Sequence, residues 1–149
     1  MTTREQVEIT GKAREKMLAA IALVQASIRK LHPYDERHLY SPDEAEPYDA
    51  LSDRFLRAVE LCLKFFRAYE RLQFAEESET LRDQLNRMEK LGLVSSVELW
   101  FQMRDVRNRI VHDYLPQDIK QLYDDMMGTL GTELSACADA VRQLVFHSP

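Results

Sequence analysis

The chain has 149 residues, of which 45% are hydrophobic and 30% are charged, so it is long enough for one domain with a sizeable core. Its net charge of -5 excludes a basic protein that coats nucleic acid without sequence preference. Any contact with nucleic acid is therefore expected to be local. With only 4 glycines and 5 prolines, turns are few and the elements are expected to be long.

Two cysteines, Cys62 and Cys137, fall at apolar positions of predicted helices. Neither belongs to a CxxC pair or has a histidine at ligand spacing, so two buried free thiols are expected, with a disulfide or a metal site as the alternative. The longest apolar run, 17–24, is too short to span a membrane, and the acidic residues before it do not suit a secretory signal. These features predict a cytoplasmic protein with no metal or cofactor and no membrane contact.

The first predicted helix ends near Leu31, because Pro33 follows. Its start is open: Thr10 caps a helix that begins at Gly11, or Thr3 caps a longer one that runs through Gly11. Steps of four and three residues separate the members of its apolar stripe, which are Met17, Ile21, Val24, Ile28 and Leu31.

An irregular, acidic segment follows at 32–47. It contains three of the five prolines and five acidic residues, which predicts a surface loop. His38 lies in this segment, where a histidine is more often an exposed loop residue than a ligand.

A long second helix is predicted from about Tyr48 to Phe74. Its seam has helical spacing and consists of Leu51, Phe55, Ala58, Cys62, Phe65, Tyr69 and Leu72. A second apolar edge, which predicts packing on two sides or a subunit interface, is formed by Val59, Leu63 and Phe66.

The third predicted helix is short and lies between a cap at Ser78 and a stop at Gly92. The fourth begins after Ser95, because Ser95 and Glu98 match the capping-box pattern. Its predicted core stripe, which Trp100 flanks, consists of Leu99, Met103, Val106 and Ile110.

The fifth predicted helix follows Pro116 and runs to about Phe146. Gly128 and Gly131 interrupt its apolar stripe, so a bend or a close helix contact is expected there. The sequence contains no strand pattern and no internal repeat. It therefore predicts one all-α domain over residues 1–149, an antiparallel up-and-down bundle of four long helices and one short helix.

Polar side chains are concentrated at 104–114, near the end of the fourth predicted helix. This stretch of eleven residues holds three arginines, an asparagine, a histidine and a tyrosine. Asn108 and His112 are one turn apart and stack on one face, whereas Arg107 is offset from His112 by roughly 140° around an ideal helix. Arg107 and His112 converge if the helix loosens near His112, or if the site is shared between subunits.

These residue types can cleave RNA without a metal. A neutral histidine takes the proton of the 2′-hydroxyl that attacks the neighbouring phosphate, and its conjugate acid returns a proton to the leaving oxygen. An arginine stabilises the charge that builds on the non-bridging oxygens. Arg107 and His112 are the candidate catalytic pair, with Asn108 and Arg104 in support. The motif has one histidine in each chain, which is too few for separate acid and base groups, and this favours a symmetric dimer.

The alternative role of this stretch is structural. A helix end rich in arginine and histidine is often only a solvated terminus, with His112 favourably placed by the helix dipole. The flanking Asp105 and Asp113 also weaken the case for a strong RNA groove. On spacing alone, the structural role is the more frequent of the two.

The pattern Arg107-Asn108-x-x-x-His112-x-Tyr114 resembles the R-N-x3-H-x-Y signature of HEPN-domain proteins of the HepT type. The surrounding sequence EKLGLVSSVELWFQMRDVRNRIVHDY also resembles the helix, short link and motif helix of that family. The predicted helical plan agrees with the family over nearly the whole chain.

The resemblance implies that Arg107 and His112 are a ribonuclease pair and that Asn108 is the polar residue beside the arginine. It implies that Tyr114 is the tyrosine to which a minimal nucleotidyltransferase adds AMP, which silences a toxin. Members of the family form homodimers in which the two motifs face each other across a cleft. They are typically encoded beside the nucleotidyltransferase antitoxin.

Three hypotheses follow. The first is a toxin endoribonuclease of a HEPN/MNT toxin–antitoxin pair, dimeric and metal-independent, with RNA rather than DNA as substrate, silenced by AMP on Tyr114. The second is a non-catalytic partner subunit of a nucleotidyltransferase, which binds a nucleotide or substrate or presents Tyr114. The third is a plain helical interaction module with no role in nucleotide chemistry.

Overall fold

The structure, a computed structural model, describes residues 2–146, which form six α-helices and no strand. The predicted all-α class is therefore confirmed. In chain order the helices are α1 (Thr3–Lys30), α2 (Pro42–Phe74), α3 (Leu81–Lys90), α4 (Val97–His112), α5 (Pro116–Met127) and α6 (Thr129–Arg142).

The two longest helices, α1 and α2, run antiparallel. The hydroxyl of Tyr48, near the start of α2, donates to the backbone oxygen of His32, just after α1, at 2.6 Å. At the other end, the hydroxyl of Thr10 on α1 faces the backbone oxygen of Ala68 on α2 at 3.4 Å. Each contact joins the start of one helix to the end of the other.

The helix α6 lies antiparallel to α1. Arg14 donates to the backbone oxygen of Leu144 at 2.7 Å, and Gln25, three turns further along α1, donates to Ser135 at 2.9 Å. With α4 set between α2 and α6, the bundle has the predicted up-and-down order.

The core is closed by large apolar side chains from every layer. Both cysteines lie in it as free thiols, as the sequence predicted, and burial raises the pKa of the Cys62 thiol. None of the helices within residues 2–146 combines the length and the hydrophobicity that crossing a bilayer requires. The bulkiest fully buried side chains include Trp100, Phe55, Phe65, Phe66, Met17, Ile21, Leu51, Leu85, Met88 and Met103.

The prediction of a single fifth helix is wrong, because the helix is interrupted at Gly128, which separates α5 from α6. The predicted bend and close contact are confirmed. A Cβ atom built on Gly131 would lie 2.5 Å from the backbone oxygen of Met126 and 2.9 Å from the Cδ1 atom of Ile28. A side chain at 131 would therefore push α6 away from both α5 and α1.

Several predicted helix starts were wrong, and each of these errors concerns the capping residue. The last helix also ends earlier than predicted, at Arg142 rather than at about Phe146. The side chain of Ser41 caps α2 in a capping box with Glu44, so the irregular segment is 31–41 rather than 32–47. Pro42 lies in the first turn of α2, where its missing N–H has no intrahelical partner, whereas Pro47 lies inside the helix. Likewise Thr2 caps α1, and Thr80 rather than Ser78 caps α3.

Stacked tyrosine rings hold the segment 31–41 against the bundle. Tyr34 stacks on Tyr40 and on Tyr123 of α5, with ring centroids 4.5 and 5.3 Å apart. Tyr48 meets the same rings edge-on, and burial raises the pKa of Tyr48 to about 12. His38 is exposed in this segment, as predicted, and pairs with Glu44.

Alanine substitutions at two helical glycines are expected to have opposite effects on stability. A Cβ atom at Gly11 would meet nothing within 4 Å. Gly11→Ala should therefore raise the free energy of unfolding by about 0.5–1 kcal/mol, because it restricts the unfolded chain. Gly131→Ala should lower it by about 1–3 kcal/mol through overpacking. Denaturant unfolding of the two variants measures both, and effects of the same sign would contradict the close contact at Gly131.

Candidate functional site

The candidate site lies on α4, and its first turn is fixed by a buried carboxylate of α6. Glu133 accepts hydrogen bonds from the backbone N–H of Ser95 at 2.9 Å, from the Ser95 hydroxyl, and from the indole N–H of Trp100 at 3.0 Å. Ser96, not Ser95, caps the helix by accepting from the backbone N–H of Leu99. The predicted capping box was wrong because the Ser95 hydroxyl is already bonded to Glu133.

The buried stripe of α4 differs from the predicted one. Leu99 and Ile110, placed in the core by the sequence analysis, are partly exposed, whereas Trp100 is fully buried. The helix packs against both α2 and α6, so its stripe is broader than one seam and turned towards Trp100. The buried residues are Val97, Trp100, Met103 and Val106. This orientation leaves the polar residues at 104–108 facing outward between α4 and α2.

A groove of about 640 Å³ lies between α2 and α4. Arg104, Arg107 and Asn108 line it from α4, which brings together three of the residues that the sequence singled out. Lys64 and Arg67 line it from α2 and were not predicted. The groove therefore carries four cationic side chains.

Two carboxylates also face this groove and engage the polar residues of α4. Glu60 accepts a hydrogen bond from Arg107 at 3.1 Å, and the two side chains are 60% and 63% exposed. Asp105 accepts from the side-chain amide of Asn108 at 3.0 Å. Exposed ion pairs contribute only about 0–1 kcal/mol, so an incoming phosphate can displace Glu60 from Arg107.

The end of α4 is regular, so the helix does not loosen to bring Arg107 towards His112. It remains α-helical through His112, and the backbone N–H of Asp113 donates to the backbone oxygen of Arg109 at 2.7 Å. The two members of the candidate catalytic pair thus stay on different faces of one chain. Of the two ways in which they could converge, only a site shared between subunits remains.

The third arginine of the cluster, Arg109, has a structural role. It donates to Asp125 of α5 at 2.9 Å and lies 3.6 Å from the carboxylate of Asp113. These contacts attach the last turn of α4 to α5 and position the following link. They also engage Asp113, one of the two flanking acids.

His112 and Tyr114 project from this helix end into solvent. His112 is exposed and does not line the groove, and Tyr114 is 79% exposed. Ile110, Val111 and Leu115 are also exposed, with Val111 at 73%. Exposed apolar side chains can contribute to an interaction surface, and these three flank the candidate histidine and tyrosine in the sequence.

The cations of α2 were missed although the sequence contains a signal for them. Glu60, Lys64 and Arg67 are separated by steps of four and three, so they form one polar line along α2. This line follows the second apolar edge, for which packing on two sides or a subunit interface was predicted. The sequence pattern does not show that α4 is the helix that packs beside this polar line.

Metal binding has no obvious place in the described chain. Within residues 2–146, no three side chains of His, Cys, Asp or Glu come together as a metal site would need.

A family model described as nucleotidyltransferase substrate binding protein like matches residues 19–142. The matched range includes α2, α4 and the whole candidate site. A comparison with curated proteins finds no match.

Proposed function

We propose that this chain, which belongs to the nucleotidyltransferase substrate-binding-protein-like family, is a toxin that cleaves RNA as a homodimer and that its partner is a nucleotidyltransferase. The residues that carry the reaction are Arg107 and His112, with Asn108 and Arg104 in support. The proposal places the protein among HEPN-domain toxins of the HepT type, with the transferase as its antitoxin.

One observation carries the proposal: the polar motif is presented to solvent rather than used to hold the fold together. Arg107 and Asn108 face the groove, and His112 projects from the helix end. A motif that served only to stabilise the helix end would look like Arg109, which is engaged by two carboxylates. Exposed polar groups of this kind are available for a substrate phosphate.

A homodimer gives the proposed reaction its acid and its base. The 2′-hydroxyl oxygen attacks the adjacent phosphorus, the bond to the 5′-oxygen breaks, and a cyclic phosphate remains. His112 of one subunit takes the hydroxyl proton, and the second copy of His112 protonates the leaving oxygen. The two copies of Arg107 stabilise the charge on the non-bridging oxygens. The exposed apolar side chains around Val111 supply the contact surface between the subunits.

AMP on Tyr114 is the proposed silencing device. The phenol oxygen attacks the α-phosphorus of a nucleoside triphosphate, pyrophosphate leaves, and the phenol proton is released. The transferase would catalyse this step. The product places bulk and negative charge two residues from His112, where it blocks the cleft and repels the substrate phosphate. The exposure of Tyr114 makes its hydroxyl accessible to such a partner.

Co-expression with the neighbouring nucleotidyltransferase is expected to add one adenylate to the protein, at Tyr114. The other tyrosines serve as internal controls, because Tyr48 and Tyr123 are buried. Intact mass followed by peptide mapping measures the adduct. The Tyr114→Phe variant should remain unmodified. An adduct that persists in Tyr114→Phe, or that maps to another residue, would exclude the proposed switch.

A second candidate function is favoured by the contacts of Arg107. In the single chain, Glu60 occupies this arginine and His112 lies outside the groove. These contacts suit a non-catalytic subunit, which binds a substrate for the transferase or presents Tyr114 to it. Incubation of the unmodified protein with RNA in EDTA separates the two functions, because only the ribonuclease cleaves.

A further inference from the structure

The groove between α2 and α4 has the chemistry of a strand-binding surface. Four cationic side chains and two carboxylates line it, in a chain whose net charge is -5. Apolar side chains also line it, namely Leu56, Val59, Leu63, Phe101 and Met103. Phosphates and the faces of bases are the two parts of a single strand that such a surface binds.

The cations on α2 are not used by the fold. Lys64 and Arg67 are exposed, and neither forms an ion pair within the part of the chain that the structure describes. Arg57, on the same helix, instead pairs with Asp53 at 2.8 Å. The two unpaired cations lie on the groove wall that faces Arg104 and Arg107.

From this arrangement we propose that the groove between α2 and α4 binds single-stranded RNA beside the cleavage site, with Lys64 and Arg67 on its phosphates. The inference rests on the proposed ribonuclease function, because it supplies the substrate path to Arg107. A volume of 640 Å³ is typical of a site for a small molecule and accommodates about two nucleotides.

Glu60 has a defined role in this proposal. Its carboxylate pairs with Arg107 and repels phosphates that enter the groove. The strand must displace it, so Glu60 weakens binding of RNA and keeps Arg107 occupied when RNA is absent. Its removal should therefore strengthen binding, whereas removal of the α2 cations should weaken it.

Fluorescence anisotropy with a labelled single-stranded RNA of about 10 nucleotides tests the proposal, since single-strand sites span about 4–16 nucleotides. All variants carry His112→Ala, so that the RNA stays intact. Lys64→Gln with Arg67→Gln should weaken binding about tenfold. It should also lower the slope of log Kd against log salt by about 1.4, which is about 0.7 for each lost phosphate contact. Glu60→Gln should tighten binding about two- to fivefold.

Charge-matched variants outside the groove provide the controls. Lys16→Gln with Arg142→Gln removes two exposed cations from α1 and α6, and Glu15→Gln removes one exposed acid from α1. Binding should stay within about twofold of the reference for both. In the background with His112 intact, the double groove variant should raise KM and leave kcat nearly unchanged.

The outcomes separate this inference from the proposed function. If the double groove variant binds RNA as tightly as its control, the groove is not the strand site, whether or not the protein cleaves RNA. If it becomes monomeric in sedimentation, the groove is a contact between copies of the chain, and the inference is also overturned. If binding falls as expected while the unmodified protein never cleaves RNA, the groove stands and the ribonuclease proposal fails.

Discussion

Replacement of His112 by alanine is expected to lower the rate of RNA cleavage by about 10²–10⁴-fold, the usual contribution of a general acid or base. The loss should exceed this range if both copies of His112 act in one dimeric site. Stability should change by less than about 0.5 kcal/mol, because the side chain is exposed. Cleavage of a labelled RNA in EDTA by the unmodified protein measures the rate, and denaturant unfolding confirms the fold.

His38→Ala is the matched control, since His38 is also exposed, lies in the segment 31–41 and pairs through its side chain with Glu44 of α2. It should cleave RNA like the unaltered protein. Arg107→Ala should lower the rate of RNA cleavage by about 10²–10³-fold. Arg107→Lys should restore only part of this rate, because lysine lacks the planar fork of arginine. Cleavage that survives in His112→Ala would remove this residue from the mechanism. Unchanged phenotypes in both alanine variants would favour a plain interaction module.

Mixed dimers show whether the two copies of His112 share one site. When unaltered and His112→Ala chains are co-expressed in equal amounts, a shared site is active only in dimers of two unaltered chains. Activity should then fall to about one quarter, because random pairing forms such dimers at that frequency. Independent sites in each chain would give about one half. The second result would contradict a site that uses both copies of His112, because a site that needs only one histidine keeps one active copy in each mixed dimer, whichever chain supplies its Arg107.

Helical periodicity predicted the parts of this fold that depend on one helix at a time. The seams of α1 and α2 were predicted correctly except at their C-terminal ends, where Ile28, Leu31 and Leu72 are only partly buried. Caps were harder. Two or three serines or threonines stand within a few residues of most helix starts, and the choice between them depends on tertiary contacts. Ser95 is the clearest case, because Glu133, 38 residues away, takes its hydroxyl.

The candidate site likewise has one part that could be predicted from a single helix and another part that depends on how the helices pack. Arg107, Asn108 and His112 could be found from spacing, and the offset between the arginine and the histidine persists in the structure because α4 is regular to its end. Lys64 and Arg67 could not be assigned to the site, because the neighbour of a helix face is a property of the whole bundle. The ion pair between Glu60 and Arg107 was unforeseen for the same reason, since 47 residues separate them.

Glu133→Ala is expected to lower the free energy of unfolding by about 3 kcal/mol, because the buried indole N–H of Trp100 and two partly buried donors of Ser95 would lose their acceptor. For a chain of this length, that corresponds to a decrease in Tm of roughly 6–12 °C. The indole N–H of Trp100 and the backbone N–H of Ser95 have no other acceptor among the hydrogen bonds of residues 2–146. Thermal and denaturant unfolding measure the loss.

Glu133→Gln isolates the hydrogen bonds from the charge. The amide oxygen can keep the bonds from Trp100 and the Ser95 backbone, and the amide N–H can donate to the Ser95 hydroxyl, which also acts as an acceptor. This variant should therefore lose less than about 1 kcal/mol. Asp139→Ala, on the exposed side of α6, should stay within about 0.5 kcal/mol of the unaltered protein. If Glu133→Ala is no less stable than Asp139→Ala, the first turn of α4 is fixed by apolar packing around Trp100. If Glu133→Gln is as unstable as Glu133→Ala, the negative charge rather than the set of acceptors holds the helix start.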